Sequence, residues 1–235
     1  MKDQKTTTKT KTQVLNLPNK DDKGVPYMSY SQKTSWEAKE GFSTKLLGRK
    51  EYMLHYFFNV DFPDVGWAEF GHKVGKALED NDFSNFTEEE ANTLSKVTRL
   101  DLFEKKVVIN FDEQGFYLYG FIDTCTSDLS YIKDYKTASE KSKSKYEKSD
   151  YDQLDIYALG VFQETGKYPE KMDVEVISRT GNAFKGGSSV LGVGKDIWII
   201  EKKIDKQRLE EVKQQVLNTA SEISDYYTVF QRLNK

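Results

Sequence analysis

The sequence predicts a mixed α/β (α+β) fold, in which a central mixed β-sheet is flanked by helices. Three observations support this expectation: helical periodicity fills the first third of the chain, β-forming runs occupy its middle, and a long amphipathic helix closes it. A further helix separates the central strands from two later ones, so helices and strands belong to one layered structure. The 235 residues can build one sizeable core or at most two small domains.

The first element in order is a lysine- and threonine-rich segment over residues 1–12. Its composition cannot build a packed core, so we expect a disordered tail followed by a single domain over residues 13–235. Helices are predicted between Ser29 and Phe58, with Ser29 or Ser31 as the first cap. The next helical signals are a pattern over Trp67–Leu78 and a capping box, Thr87 with Glu90.

The middle of the chain changes to β-forming residues. Predicted strands cover Lys105–Asp112, Phe116–Asp123 and Tyr131–Lys136, with a turn at residues 112–115 between the first two. A helix follows over Tyr151–Phe162. The later elements are strands at Met172–Arg179 and Ile197–Lys203, a glycine-rich mobile hairpin end between them, and a helix over Asp205–Leu233 with one apolar stripe.

Composition limits the function classes. The net charge is −3, so a nucleic-acid partner must be held by a local basic groove or by bound metal. One cysteine, Cys125, excludes a disulfide framework and a four-cysteine iron–sulfur cluster, and it fits a reducing cytoplasm. No apolar run approaches the ~20 residues that span a bilayer, so we expect no membrane association. The lysine-rich N-terminus also lacks the apolar core of a secretory signal.

Three short segments carry a pattern with chemical meaning. Asp123 ends an apolar strand, and Asp134 and Lys136 alternate on the next one, so the latter two project from the same face. Two carboxylates with open positions suit Mg²⁺ or Mn²⁺, and a lysine beside a water molecule can orient or deprotonate it. Gln153 and Tyr157 are four residues apart and share a helix face. A single Asp-x-Lys on a strand is usually an exposed ion pair; the three segments together favour an active site.

These segments resemble the PD-(D/E)XK nuclease superfamily, in particular its RecB-like and phage exonuclease-like branch. That branch shows Gly-x-x-Asp, Asp-x-Lys-Thr and Gln-x-x-x-Tyr in this order, and the corresponding residues here are Gly120 to Asp123, Asp134 to Thr137, and Gln153 to Tyr157. The resemblance implies a restriction-endonuclease-like core. It also implies that the two acids and the carbonyl of Tyr135 bind the metal while Lys136 serves the attacking water.

One position departs from the family pattern. The upstream helix of such enzymes often carries a His or Glu ligand where this chain has Gly75. Glu79 lies one helical turn further, His72 lies seven residues before it, and either can replace the ligand, with or without Glu69. This departure leaves open a weakened or metal-selective site, or lost catalysis.

A lysine-rich segment follows the Asp-x-Lys strand, at residues 141–148. Acidic residues are interspersed with the lysines, which favours a solvated linker. The alternative is a loop that contacts phosphate groups at the mouth of the site.

The resemblance implies a Mg²⁺- or Mn²⁺-dependent deoxyribonuclease without an iron–sulfur cluster. Exonuclease action on DNA ends, in phage or bacterial recombination and repair, follows by analogy with the branch. Such an enzyme acts in the cytoplasm, or in the host cytoplasm if a phage encodes it, and a protein partner in a recombination or replication complex is consistent with that setting. The alternative is a nuclease-fold module that binds DNA or a protein without cutting.

Overall fold

The computed structural model describes residues 14–38, 48–62 and 66–235, and these residues form one mixed β-sheet flanked by helices. The sheet has seven strands, and its order is β1-β2-β4-β5-β6-β7, with β3 pairing β4. Pairs β2–β4 and β5–β6 are parallel, and the others are antiparallel. The strands are β1 (Asn19–Lys20), β2 (Pro26–Ser29), β3 (Leu102–Phe111), β4 (Phe116–Cys125), β5 (Tyr131–Ala138), β6 (Lys171–Thr180) and β7 (Gly192–Lys202).

Seven α-helices accompany the sheet in the described part of the chain. They are α1 (Tyr30–Glu37), α2 (Arg49–Phe58), α3 (Trp67–Asp80), α4 (Glu88–Leu94), α5 (Lys143–Glu147), α6 (Asp152–Thr165) and α7 (Lys206–Leu233). The predicted caps form, with Ser29 capping α1 and Thr87 capping α4, each in a capping box. The side chain of each capping residue accepts a hydrogen bond from a backbone N–H that the helix itself leaves unpaired.

Several sequence-based boundaries need correction. The sequence predicts the last strand from Ile197, but β7 begins at Gly192 and the preceding loop folds into two short 3₁₀ turns. Position 194 of β7 requires glycine because a Cβ atom there would approach the Ser178 hydroxyl oxygen to 2.3 Å. The short strands β1 and β2 have no counterpart among the predicted elements. The tail over residues 1–12 and the start of the second predicted helix lie outside the described residues.

The sheet separates two apolar clusters. Val174 and Val176 of β6 belong to the larger cluster, which packs under α1, α2, α6 and α7, whereas Ile177 belongs to a smaller cluster with α3 and α4. Alternate residues of a strand point to opposite faces, so this division follows from the pleat. The predicted apolar stripe of α7 is buried in the larger cluster from Leu209 to Ile223.

The edge of β4 that faces away from β3 is shared between two strands. β2 pairs with it at Tyr27–Ser29 against Tyr117–Tyr119, and β5 pairs with it only at Thr124 and Cys125. Among the described residues, positions 120–123 of β4 therefore have no strand partner on that side. This gap in the middle of the sheet lets side chains from three strands and a helix converge.

None of the helices in residues 14–38, 48–62 and 66–235 is both long and apolar enough to cross a membrane. The longest, α7, has 28 residues, but its exposed face is mostly polar and charged.

Candidate active site

Asp123 lies where β4 and β5 separate. The antiparallel ladder between them ends at the pair Thr124 and Lys133, so the next pair would be Asp123 with Asp134. Instead of continuing the ladder, the Oδ2 atom of Asp123 accepts a hydrogen bond of 2.6 Å from the backbone N–H of Tyr135. The Asp123 side chain of β4 thus takes the place of a backbone hydrogen bond to β5. The carboxylates of Asp123 and Asp134 both lie at this end of the gap.

Asp134 and Lys136 contact each other as their spacing predicts. The Lys136 Nζ atom donates a 2.7 Å hydrogen bond to Oδ1 of Asp134 and lies 2.5 Å from its Oδ2. The Asp134 side chain is 1% exposed and that of Lys136 is 33% exposed. The carboxylate is therefore buried beneath the cleft, and the ammonium group covers it from the solvent side.

Helix α6 fixes the lysine through a chain of hydrogen bonds. Lys136 donates to Oε1 of Gln153 at 3.0 Å, and the Nε2 group of Gln153 donates to the hydroxyl of Tyr157 at 2.6 Å. The ring of Tyr157 lies directly over Gly120, where a Cβ atom would approach the ring to 2.7 Å. A glycine is required at this position because any side chain would displace the tyrosine that supports Gln153 and Lys136.

Burial and neighbouring charges determine the pKa values of Asp123 and Lys136. Burial, together with the charge of Asp134, raises the pKa of Asp123 to about 8, although Lys136 and the Tyr135 amide act in the opposite direction. Burial alone would lower the pKa of Lys136, but the charges of Asp134 and Asp123 outweigh it and raise that pKa above its ordinary value. Without a bound cation the lysine is therefore protonated, and Asp123 holds its proton up to about neutral pH.

A cleft of about 690 Å³ opens above these residues. It is bounded by the start of α1, one face of α3, the β3–β4 pair, the end of β5 and the start of α6. The predicted site residues that line it are His72, Glu79, Asp123, Tyr135, Lys136, Thr137, Gln153 and Tyr157. Asp134 lies below this surface.

The upstream helix α3 presents Gly75, His72 and Glu79 to the cleft, but it does not complete a metal centre. The Glu79 carboxylate pairs with Lys76 at 3.1 Å. Glu69 is exposed and is not part of the cleft wall. Within the described residues, no three His, Cys, Asp or Glu side chains are grouped closely enough to hold a metal ion. The roles of Glu79, His72 and Glu69 as metal ligands remain predictions.

Glu104 on β3 is a cleft residue that sequence reasoning does not single out. It lines the cleft at the pair position opposite Asp123, and its charge adds to the factors that raise the pKa of Asp123. Its backbone is left-handed, with φ of 49°, which is unusual for a residue other than glycine. The strand changes face here, since Val107 packs in the larger cluster but Phe103 packs in the smaller one. No residue spacing in the sequence predicts the left-handed backbone at Glu104.

The lysine-rich segment after β5 forms a 3₁₀ turn and the short helix α5, and its lysines are exposed. Tyr146 of α5 lines the cleft. The segment therefore borders the candidate site, and this position is compatible with a solvated linker and with a phosphate-contacting loop.

The donor set fits a divalent cation. Oδ2 of Asp134 is buried, and the Lys136 ammonium 2.5 Å away compensates one negative charge at this level of the sheet. A second carboxylate, Asp123, lies at the adjoining register position and is costly to ionise without compensation. A hard oxygen-binding cation such as Mg²⁺ or Mn²⁺ would offset this cost. The residues present therefore suit such an ion.

Comparison with known proteins adds no family assignment: no model of a protein family matches the chain, and no curated protein matches it significantly.

The raised pKa of Asp123 predicts a distinctive pH dependence of stability. In EDTA the melting temperature should fall as the pH rises from about 5 to about 8, because the folded state binds a proton that the unfolded carboxyl, with a pKa of about 3.9, has already lost. Asp123→Asn should remove this part of the slope. Differential scanning calorimetry of both proteins across this range measures it, and identical slopes would show that Asp123 titrates normally.

Proposed function

We propose that this protein is a divalent-metal-dependent nuclease that hydrolyses phosphodiester bonds in DNA. The observation that carries the proposal is the contact between Lys136 and the buried Asp134 beside Asp123, in a gap of the sheet that opens to solvent. Two carboxylates can hold a metal ion that assists phosphoryl transfer, and a lysine beside them can orient the attacking water.

The charge of the cleft supports a role for a cation. Its walls carry three carboxylates, Glu79, Glu104 and Asp123, against the two ammonium groups of Lys76 and Lys136, and Asp134 adds a further carboxylate below them. Even with Asp123 protonated, the carboxylates of Glu79, Glu104 and Asp134 outnumber the two ammonium groups, so a phosphate group meets no excess of positive charge when no cation is bound. Asp123 and Asp134 would hold a divalent ion, which would supply the missing positive charge and lower the pKa of a water molecule at the site.

Other residues of the chain orient the attacking water and bind the substrate. Lys136, held by Gln153 and Tyr157, orients the attacking water and can accept its proton once a bound cation offsets the two carboxylates. The first turn of α1 also faces the cleft through Tyr30 and Ser31. The backbone N–H groups of a helix start attract anions, so this turn can hold a phosphate of the substrate.

The substrate class and the cellular setting of this proposal are inferred from the family resemblance. The RecB-like and phage exonuclease-like branch implies action on DNA ends, in the cytoplasm, during recombination or repair. A protein partner in a recombination or replication complex belongs to the same setting. We adopt the restriction-endonuclease-like core as part of the proposal because the divergent β4 and β5 hold Asp123, Asp134 and Lys136 together at one cleft.

A second candidate function rests on a specific observation. Gly75 leaves α3 without a ligand at the position that the family pattern favours, and the described residues contain no group of three metal-binding side chains. A nuclease fold that binds DNA without efficient cleavage would have this composition. The intact Asp134–Lys136–Gln153 chain argues for catalysis, since a binding module has no chemical need for it.

The nuclease proposal predicts the effect of removing one carboxylate. Asp134→Asn should reduce Mg²⁺-dependent hydrolysis of labelled linear DNA by at least about a thousandfold, because one of two metal carboxylates is lost. Asp225→Asn, on the exposed face of α7, is the matched control and should retain full activity. Equal cleavage by Asp134→Asn and the wild-type protein would refute the active-site assignment. Absence of cleavage in the wild-type protein with Mg²⁺ and Mn²⁺ would favour the second candidate.

A further prediction concerns the position without a ligand. A Cβ atom at Gly75 would meet no described atom within 4 Å, so a larger residue fits into the cleft there. Gly75→Glu should raise Mg²⁺ and Mn²⁺ affinity by roughly tenfold, because it adds a carboxylate of suitable reach. Gly75→Gln gives the same gain in helix propensity without the charge. Isothermal titration calorimetry compares them, and equal metal affinity in the two variants would place the metal away from α3.

A further inference from the structure

A second cleft, of about 560 Å³, lies beside the candidate active site. Its walls come from the first residue of α3, the turn after β5, and the loop that leaves β6. The residues that matter for its chemistry are Trp67, Glu140, Lys141, Arg179 and Phe184. None of them takes part in the hydrogen-bond chain around Lys136.

Two aromatic rings frame this cleft. Trp67 and Phe184 meet edge to face, with ring centroids 4.6 Å apart and an interplanar angle of 81°. Phe184 is 68% exposed, so burial of its ring contributes little to the free energy of folding. The exposed ring lies on a local turn, in which the Asn182 side chain accepts a hydrogen bond from the Phe184 N–H.

The loop also packs tightly against the start of α3. A Cβ atom at Gly66 would approach the backbone nitrogen of Ser188 to 2.2 Å, and Gly66 has φ of 99°, so only glycine fits. This close approach keeps Trp67 and the loop that carries Phe184 in a fixed relation. Trp67 and Phe184 therefore belong to two segments whose backbones are in direct contact.

Arg179 supplies a cation whose charge is poorly compensated. Its guanidinium lies 5.5 Å from the centroid of the Trp67 ring, and its Nε atom is buried without a hydrogen bond to any described residue. Burial lowers the pKa of this guanidinium, as expected for a cation that lacks a close counter-charge. No carboxylate of the described residues forms an ion pair with Arg179 or Lys141. The exposed Glu140 is the acidic group among the cleft walls.

The two clefts adjoin along two elements. Trp67 lines the second cleft and the next residue, Ala68, lines the first. Thr137 lines the first and Ser139 lines the second, which is a separation of about 7 Å along a strand. Tyr146 lines the first cleft, and its interaction with Arg179 raises the pKa of that guanidinium, against the effect of burial. A flexible polymer bound at the first cleft therefore reaches the second within one or two units.

We propose that the second cleft binds one nucleotide of a single DNA strand next to the bond that is cut, with its base on Phe184 and Trp67 and its phosphate on Arg179 and Lys141. This assignment rests on the proposed nuclease function. Aromatic side chains stack on unpaired bases of any sequence, and a partly exposed guanidinium suits a phosphate because it can donate two parallel hydrogen bonds. A base inside a duplex is already stacked on its neighbours and is not free to stack on Phe184, so the preferred strand is unpaired.

The test measures binding without cleavage. The wild-type protein and variants are titrated in EDTA with fluorescein-labelled dT12, and affinity is read by anisotropy. Phe184→Ala and Arg179→Gln should each weaken binding by about tenfold. The matched controls are Phe58→Ala and Arg49→Gln, which are exposed and outside both clefts, and they should bind as the wild type does. Duplex DNA should bind without dependence on Phe184.

Intrinsic fluorescence gives an independent measurement. Trp36 and Trp198 are buried, so quenching of tryptophan emission by unlabelled dT12 should come from Trp67 and disappear in Trp67→Phe. The proposal is overturned if dT12 does not bind, or if neither Phe184→Ala nor Arg179→Gln changes its affinity. If these variants weaken binding but the wild type cuts no DNA, the nucleotide site stands and the nuclease proposal fails. If cleavage depends on Asp134 but neither variant alters dT12 binding, the nuclease proposal stands and the nucleotide site fails.

Discussion

The structure depends on the placement of two carboxylates, Asp123 and Asp134, at adjoining positions of neighbouring strands. Burial makes their joint ionisation costly, so the surroundings must supply positive charge. Lys136 supplies one charge directly, and Gln153 holds the lysine in place. The strands diverge at this level because the Asp123 side chain takes the Tyr135 amide in place of a ladder partner. The cleft is a consequence of that divergence.

The proposed function follows from the charges of this arrangement. The cleft walls and the buried Asp134 together carry more carboxylates than ammonium groups. In the proposal, Asp123 and Asp134 would hold a divalent cation, which would supply the positive charge that a phosphate group requires. The adjoining cleft has the opposite character, with the poorly compensated Arg179 beside two aromatic rings. The two proposals therefore place metal-dependent chemistry in one cleft and metal-independent contact with the nucleic acid in the other.

The sequence predicts the parts of the site that obey short periods. A spacing of two on β5 places Asp134 with Lys136, and a spacing of four on α6 places Gln153 with Tyr157. Contacts between distant segments cannot be predicted in this way. The need for Gly120 arises from the Tyr157 ring, and the left-handed Glu104 follows no local pattern. The early start of β7 escapes prediction because its glycines resemble those of a loop.

The most direct test is to locate the cation. Crystals of the protein soaked in Mn²⁺ and measured for anomalous scattering show the ion without any assumption about activity. We predict a peak at the carboxylates of Asp123 and Asp134. The peak should be lost in Asp134→Asn crystals. A peak only at Glu79 or Glu104, or no peak in the cleft at saturating Mn²⁺, would contradict the central claim.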